Sequence, residues 1–593
     1  MSHETGGRIG PVNPSTTGAR VLLDELVRLG LREVVLCPGS RSAPLAYAAH
    51  DLEVAGRIRL HVRVDERSAA FLALGLAKTS RRPAAVITTS GTAVANLHPA
   101  VLEAHHGAVP LLLLTADRPP ELRGIGANQA TDQIGVYGEH VRLALELETP
   151  ADPSRQAPAW RTAAARAVAA ATGALGGTGT AGPVHLDLPY RDPLAPSGGD
   201  LAPSGGLPDP LLGRPDGAAW VALPEPATWT ATPVAGPAAL LAHDPDTLVV
   251  IGELPTAQHR AAALAWATHH GAPVIAEPGP GGSPLVLPHG DRILAAAHWV
   301  GEHLPSRVVV VGRPTLGRAV PALTRTPGLR VEVVTPGEPG AAGWADATHT
   351  AAAVHPFAAL GVQGEGKEVT PFARTWLAAG ERVAAALAPD ARADADLDGP
   401  VTARVVHDAL PEDSALFLGS SSVARDIAHG TAHVRDDVEI VTSRGLAGID
   451  GCVSTAVGLA LSRPGPTLAL LGDLTFLHDA NGLLIGPDEP RPDLTIVVVD
   501  DDGGSIFSTL EYGVAELEGP MRRLFTTPTG TDIELLCAAH GVPATTVTDA
   551  AGLAQLVSRP STGIRVIRVP VDPGARRAAG QASRDAVVAA LAD

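Results

Sequence analysis

Along residues 14–190 the apolar positions follow two alternating patterns. "ARVLLDELVRLG" has apolar residues at helical spacing and ends at Gly30. "EVVLCPGS" is then a short, continuous apolar run entering a Gly turn, the signature of a buried strand. "RIRLHVRVDER" leads in the same way into the Ala/Leu-rich helix "SAAFLALGLAKTS". "PAAVITTSGTA" and "AVPLLLLTADRPP" repeat the strand-then-polar-loop pattern, and "GPVHLDLPYRDPL" closes the unit. Strands that are apolar on both faces and separated by helices predict a doubly wound parallel sheet. The polar loops 38–42, 65–67, 89–92 and 116–121 then gather along one sheet edge, where such folds bind ligands.

Gly/Pro-rich sequence over 193–237 follows and reads as a surface linker. A second α/β unit spans 238–365, with strands at "DTLVVIGEL", "APVIAEP", "SRVVVVGRP" and "LRVEVVTP". A polar, Ala-rich helical connection (366–400) leads to a third unit over 401–593. Its strands include "SALFLGSS", "VEIVTSRG", "TLALLGDL", "LTIVVVDDD" and "GIRVIRVP". The expected plan is α/β: three doubly wound parallel-sheet domains, the first being 14–192. No short repeat is visible, but domains one and three are candidates for a shared fold.

A length of 593 residues supports three or four domains. Aromatic residues make up only 3% of the chain, so Val, Leu, Ile and Ala must fill the cores. The formal charge of −18 argues against nucleic acid and anionic membrane as partners, because both need clustered cations. Cys37, Cys452 and Cys537 are far apart and show no paired spacing, which fits a reducing cytosol without disulfides or a zinc knuckle. No uninterrupted apolar run is long enough to insert in a membrane, and "MSHETGGRIGPVNPSTTG" lacks a secretory pattern. A soluble cytoplasmic protein is expected.

Two stretches carry chemistry. "IVVVDDDGGSIF" (496–507) and "LLGDLTFLHDANGLL" (470–484) each place an Asp directly after a buried strand. Asp473 and Asp501 lie 28 positions apart; a strand–helix–strand unit needs roughly 30 residues. Both acids can therefore end neighbouring parallel strands. Two carboxylates and a backbone carbonyl from the Gly turn, completed by phosphate oxygens, make a hard octahedral site suited to Mg²⁺. "GGSIF" lets backbone approach a diphosphate. Either motif alone would read as a helix cap or a solvated turn; the spacing of the pair favours the metal.

This pattern resembles the signature of the thiamin-diphosphate enzyme family. The resemblance implies Mg²⁺ (with Mn²⁺ as the alternative) held by Asp473, Asp501 and the Gly503 carbonyl. It implies cofactor contacts at Ser421, Gly472, Leu474, Thr475, Ser505, Ile506 and Phe507. The sequence departs from the family pattern at Leu474, where Gly is usual, and at Asp500-Asp501, where Asn-Asn is usual. Glu66, in "VRVDERSAAF", matches the acid that faces the aminopyrimidine ring, the proton relay that thiamin chemistry requires. In the family this Glu and the diphosphate site come from different subunits, which implies a homodimer or a dimer of dimers (a homotetramer).

The runs "CPGSRSAPL", "DERSAAFLALGLAK", "TSGTAVAN", "LTADRPPELRGIGANQATDQ", "GSSSVARDI" and "SRGLAGIDG" occur in that order. Together they resemble the 2-succinyl-5-enolpyruvyl-6-hydroxy-3-cyclohexene-1-carboxylate synthases of menaquinone biosynthesis, across domains one and three. The implied activity is decarboxylation of 2-oxoglutarate, with 1,4-addition of the succinyl carbanion equivalent to isochorismate. Both substrates are dicarboxylates, and Arg41, Arg118, Arg425 and Arg444 are expected in short polar loops after strands, where guanidinium forks can converge. By resemblance, Ser40, Arg41 and Gln129 contact the isochorismate-derived part, and Asn128 contacts substrate. Ser421 and Arg425 bind the succinyl end, Arg118 and Arg444 contact substrate or adduct, and Ile449 is the wedge that bends the cofactor. In "GRPTLGRAV" some relatives carry two adjacent cations; here Arg318 is followed by Ala319.

Rival readings are another thiamin-dependent 2-oxoacid enzyme, such as an acetohydroxyacid synthase, and a degenerate cofactor-binding scaffold. The first gives no reason for the Arg set; the second is opposed by retention of Glu66 and both metal acids. His98, His105 and His106 share a predicted helix without a metal-ligand pattern. "EPGPGGSPL" lacks the Lys-Ser/Thr of a phosphate loop and reads as a substrate-facing or structural turn.

Overall fold

The computed structural model describes residues 13–174, 180–196, 207, 211–224, 240–336, 343–388 and 397–592. The chain divides into two compact units. One is Met1–Ala227 with Val457–Ser462 and Leu484–Pro490; the other is Thr228–Ala456 with Arg463–Leu483 and Arg491–Asp593.

The first unit is built on six parallel strands: β1 (Glu33–Leu36), β2 (Arg59–Val62), β3 (Ala84–Thr88), β4 (Leu111–Asp117), β5 (Leu143–Glu146) and β6 (Pro183–Pro189). Their order is β2-β1-β3-β4-β6-β5. Helices Pro14–Arg28 and Pro153–Thr172 cover one face, and the core is largely Leu, Val and Ala. Asn13 caps the first helix, accepting from the Ser15 amide at 3.0 Å, and Pro14 supplies a preset φ where no N–H is needed. Buried Arg161 joins the two helices through Asp24 (3.0 Å) and Glu25 (2.5 Å). The described part of the stretch read as a surface linker, 211–224, packs on this layer. Leu211 is buried in the core, and Arg28 donates to the carbonyl of Leu212 at 2.7 Å. Arginine donors satisfy the backbone of this segment, which lies on the domain with a single 3-10 turn, Pro215–Gly217, as its regular structure among the described residues. The rest of that stretch lies outside the described residues, apart from 193–196 and Leu207.

The second unit holds two sheets. The central one contains β7 (Thr247–Ile251), β8 (Val274–Ala276), β9 (Arg307–Val311), β10 (Arg330–Thr335) and β11 (Ala351–Pro356), ordered β11-β10-β9-β7-β8. The Ala-rich passage after it forms the helix Pro371–Leu387, which buries Trp376 against Trp299 in this domain's core. The last sheet contains β12 (Ala415–Leu418), β13 (Glu439–Thr442), β14 (Thr467–Gly472), β15 (Leu494–Asp500), β16 (Ala544–Thr546) and β17 (Ile564–Pro570). Its order is β13-β12-β14-β15-β17-β16.

Counted from its own first strand, the last sheet repeats the order of the first, 2-1-3-4-6-5, and the central sheet is 2-1-3-4-5. All strand pairings are parallel. In each sheet the chain leaves strand one toward strand two on one side and toward strand three on the other. A crevice therefore opens between the carboxyl ends of strands one and three, the usual ligand position of open α/β sheets. β5, β11 and β16, absent from the sequence expectation, are all edge strands.

Candidate active site

In the first unit the switch point lies between β1 and β3. The loop after β1 carries Ser40 and Arg41; the loop after β3 carries Ser90. A Cβ on Gly39 would stand 2.3 Å from Thr89 Cβ, so glycine is what lets these loops touch. Arg118, directly after β4, donates to Ser90 Oγ. Gln129, held at φ +55°, donates to the Ser90 carbonyl at 2.9 Å, and Ser90 Oγ donates to the Gln129 carbonyl at 2.9 Å. The "ADRPPEL…GANQ" run is thereby folded back on the loop after β3. Gln133 fixes the return, accepting from the Gly91 amide and donating to Asp187, each at 2.9 Å.

Arg41 donates to the Tyr190 carbonyl at 2.9 Å, while its Nε is buried with no hydrogen-bond partner. Burial, and after it the Arg41 cation, pulls Arg118 below the ordinary guanidinium value. Two guanidinium groups whose charges act on each other form a site that an anion relieves. Ser40, Asn128 and Gln129 are exposed around them. Glu66 opens the helix Glu66–Ser80, half-buried, with Asn96 Nδ2 3.5 Å from its carboxylate and Asp65 capping the Ser68 amide at 3.1 Å.

In the second unit β14 and β15 are adjacent, so Asp473 and Asp501 leave neighbouring strand ends, as their spacing predicts. Both are buried. Asp473 accepts from the amides of Leu474 and Gly503, each at 2.7 Å. Asp501 accepts from Ser505 Oγ, and its Oδ1 is buried with no partner. Burial, then the neighbouring Asp501 charge, pushes Asp473 up to about 7; burial raises Asp501 as well. Two buried carboxylates, the first raised by the charge of the second, with an orphaned oxygen between strand ends, could serve as donors to a hard dication. Among the described residues no third acid, His or Cys joins them, which leaves a backbone carbonyl and ligand oxygens to complete a shell.

The triple acid thus divides. Asp500 is taken by Arg568 at 2.6 Å, and Asp502 is exposed at φ +53°. Arg425 lies in the first turn of the helix Val423–Gly430 rather than in a loop, and donates to the Ser421 carbonyl at 2.7 Å. Ser421 itself sits at φ +76°. Burial, then the Arg444 cation, lowers Arg425, so the second unit also pairs two guanidiniums. Arg318, Arg425, Ile506 and Phe507 line one cleft of about 1350 Å³. Ile449 is half-buried in the 443–451 segment. Gly472 precedes the helix Asp473–His478, in which Thr475 is buried.

Sequence reasoning missed three residues here. Arg576, from the last helix, forks Asp426 at 3.0 Å through both nitrogens, and its charge acts on Asp501. Thr315 accepts from Arg444 through its hydroxyl (3.0 Å) and its carbonyl (2.6 Å). Glu277 in turn accepts the amides of Thr315 (2.5 Å) and Leu316 (2.6 Å). Arg576 lies in no local motif, while Thr315 and Glu277 stand in the "GRPTLGRAV" and "EPGPGGSPL" runs without any pattern that marks either as a contact.

Comparison with known proteins agrees with this geometry. Residues 16–136 match the family model described as "Thiamine pyrophosphate enzyme, N-terminal TPP binding domain". The 2-succinyl-5-enolpyruvyl-6-hydroxy-3-cyclohexene-1-carboxylate synthase of Saccharopolyspora erythraea is 45% identical over 584 residues, covering 98% of this chain and all of the relative. That of Kineococcus radiotolerans is 47% identical over 94% of this chain and 96% of its own. The chain belongs to this synthase family. A solved benzoylformate decarboxylase from Polynucleobacter necessarius, 19% identical with a TM-score of 0.64, covers 94% of this chain and 98% of its own and shares the fold.

Arg318 lies at the open side of the cleft that it lines with Arg425. Its side chain is 84% exposed and reaches only Glu511, at 3.9 Å. His98, His105 and His106 lie on the helix His98–His106, and no group of metal-binding character forms around them among the described residues. Also among the described residues, no helix is long and apolar enough to cross a membrane.

Proposed function

We propose that the protein decarboxylates 2-oxoglutarate and adds the resulting succinyl carbanion equivalent 1,4 to isochorismate, giving the synthase product and CO₂ for menaquinone biosynthesis. Family membership over nearly the whole chain carries this reading, and two guanidinium pairs suited to two dianions support it. Bound thiamin diphosphate supplies the electron sink for decarboxylation. Asp473, Asp501 and the Gly503 carbonyl are the proposed Mg²⁺ ligands, Mn²⁺ being the alternative. Glu66 is assigned the proton exchange at the aminopyrimidine ring nitrogen.

Arg425 and Ser421 hold the succinyl end, with Arg444 fixed beside Arg425 by Thr315. Arg41 and Arg118, with Ser40, Asn128 and Gln129, hold the isochorismate carboxylates. A planar guanidinium fork orients a carboxylate as well as attracting it, so two such pairs align donor and acceptor for bond formation. Ile449 is assigned as the wedge beneath the cofactor. The three domains are proposed as 14–192, 238–365 and 401–593, with 193–237 and 366–400 connecting them. The working state is a cytoplasmic homodimer or dimer of dimers.

The test is incubation with thiamin diphosphate, Mg²⁺, 2-oxoglutarate and isochorismate, following isochorismate absorbance. Loss that requires 2-oxoglutarate is expected. Preference for pyruvate over 2-oxoglutarate would instead identify a different thiamin-dependent carboligase.

A further inference from the structure

The central sheet has the same switch point as the other two, between β7 and β9, but the proposed reaction makes no use of it. A cavity of about 110 Å³ opens there, bordered by the ends of β7 and β8, by residues 314–320 after β9, which run into the helix Ala319–Thr324, and by the 428–434 segment. Arg260 enters it from the helix Ala257–His270, which follows β7. Its side chain is buried, with the residue only 7% exposed, and its Nε has no hydrogen-bond partner among the described residues. Among the described residues no carboxylate oxygen lies within ion-pair distance of it, although the charges of Glu253 and Glu277 act on it from farther off. Gly279 leaves room for the guanidinium: a Cβ there would stand 2.9 Å from its central carbon. His289 Nδ1 is a second buried, unpartnered polar atom on a residue lining the same cavity.

A guanidinium buried without partners is costly unless something satisfies it. Glu277 does not, because its oxygens are committed to the Thr315 and Leu316 amides and the Thr315 hydroxyl. We infer that this cavity is a second ligand site, taking a small organic monocarboxylate forked by Arg260, with its apolar body against Ile275, Val286, Leu287 and Val320. A monoanion is favoured over phosphate because Glu253 and Glu277 already oppose additional negative charge. The volume is below the roughly 150 Å³ that accommodates benzene, which limits the body to a few carbons. Leu316 borders both this cavity and the active-site cleft, and Thr315 holds Arg444. Occupancy is therefore expected to alter 2-oxoglutarate KM; that consequence, unlike binding itself, rests on the role proposed for Arg444.

The test is calorimetric titration of the full-length holoenzyme with isovalerate and with its neutral isostere isovaleramide. Saturable binding of the acid, at least about tenfold tighter than the amide, is expected, with a similar loss in Arg260→Met. Val286→Trp, which fills the cavity and keeps Arg260, should also abolish binding, whereas Arg425→Met in the other cleft should not. Thermal melts establish that each variant is folded. The proposal is overturned by no saturable binding up to about 20 mM, by equal binding of acid and amide, or by binding that survives Arg260→Met or Val286→Trp. It is equally overturned by binding lost in Arg425→Met. The acid–amide comparison on unaltered protein tests the carboxylate requirement, and Arg260→Met, Val286→Trp and Arg425→Met, each checked by its melt, assign the binding to this cavity or to the other cleft. None of these readouts needs turnover, so failure here is distinct from failure of the proposed reaction.

Discussion

The amide of Gly503 donates to Asp473 Oδ2 at 2.7 Å, joining the turn after β15 to the end of β14 across 30 residues of chain. Gly503 adopts φ +127°, and a Cβ at that position would stand 2.1 Å from the Thr526 carbonyl oxygen. The turn that presents the two acids to each other therefore depends on a missing side chain. Gly503→Ala should displace the turn and reduce metal-dependent thiamin-diphosphate affinity by at least about tenfold, since strain of this kind costs on the order of 1–3 kcal/mol. Fluorescence titration with cofactor at saturating Mg²⁺ measures it.

The three consecutive acids should separate experimentally. Asp501→Ala removes one of two paired carboxylates and should abolish Mg²⁺-dependent cofactor binding. Asp502→Ala removes an exposed side chain and should bind as the unaltered protein does. Equal losses in both variants would place the metal ligand at the wrong position in the run.

Glu66→Gln preserves size and a hydrogen-bond acceptor for Asn96 but loses the carboxylate. Cofactor affinity should stay within about threefold, while turnover falls by roughly 10²–10⁴, the range of a positioned proton-transfer group. Full activity in this variant would remove Glu66 from the reaction.

Much of the fold was legible because its central strands are continuous apolar runs, as "LLLL" in β4 and "IVVV" in β15 illustrate. The strands that escaped notice are β5, β11 and β16, each an edge strand with a partly exposed residue at every position. An edge strand has one neighbour and a half-solvated surface, so burial imposes little pattern on its sequence. That Asp473 and Asp501 end neighbouring strands was legible from their spacing, because parallel connectivity fixes how far apart two adjacent strand ends can be in sequence. Glu277, Thr315 and Arg576 were not. They reach the site from other strands and helices through hydrogen bonds of long sequence separation, and each has an ordinary local context.

The two guanidinium pairs should respond to different substrates. Arg118→Met is expected to raise the isochorismate KM by about 10- to 100-fold with little change for 2-oxoglutarate, and Arg425→Met the reverse, as the loss of a charge-assisted hydrogen bond implies. Steady-state kinetics with each substrate varied in turn distinguishes them. A uniform rise in both KM values from either variant would contradict the division of labour.

His185 offers a test through stability. It is 1% exposed on β6, its Nε2 lies 2.7 Å from Thr115 Oγ1, and burial pulls its pKa down to about 4 from an ordinary value near 6.5. Between those two values the unfolded chain binds a proton that the folded chain excludes. Stability therefore rises with pH through that window and is lost as pH falls through it, with a limiting slope for one group of about 1.4 kcal/mol per pH unit. His185→Gln keeps a polar partner for Thr115 and removes the titration. Urea unfolding at intervals from pH 4 to 7 should show the unaltered protein losing more stability than the variant on acidification. Parallel curves would mean that His185 is protonated in the folded state.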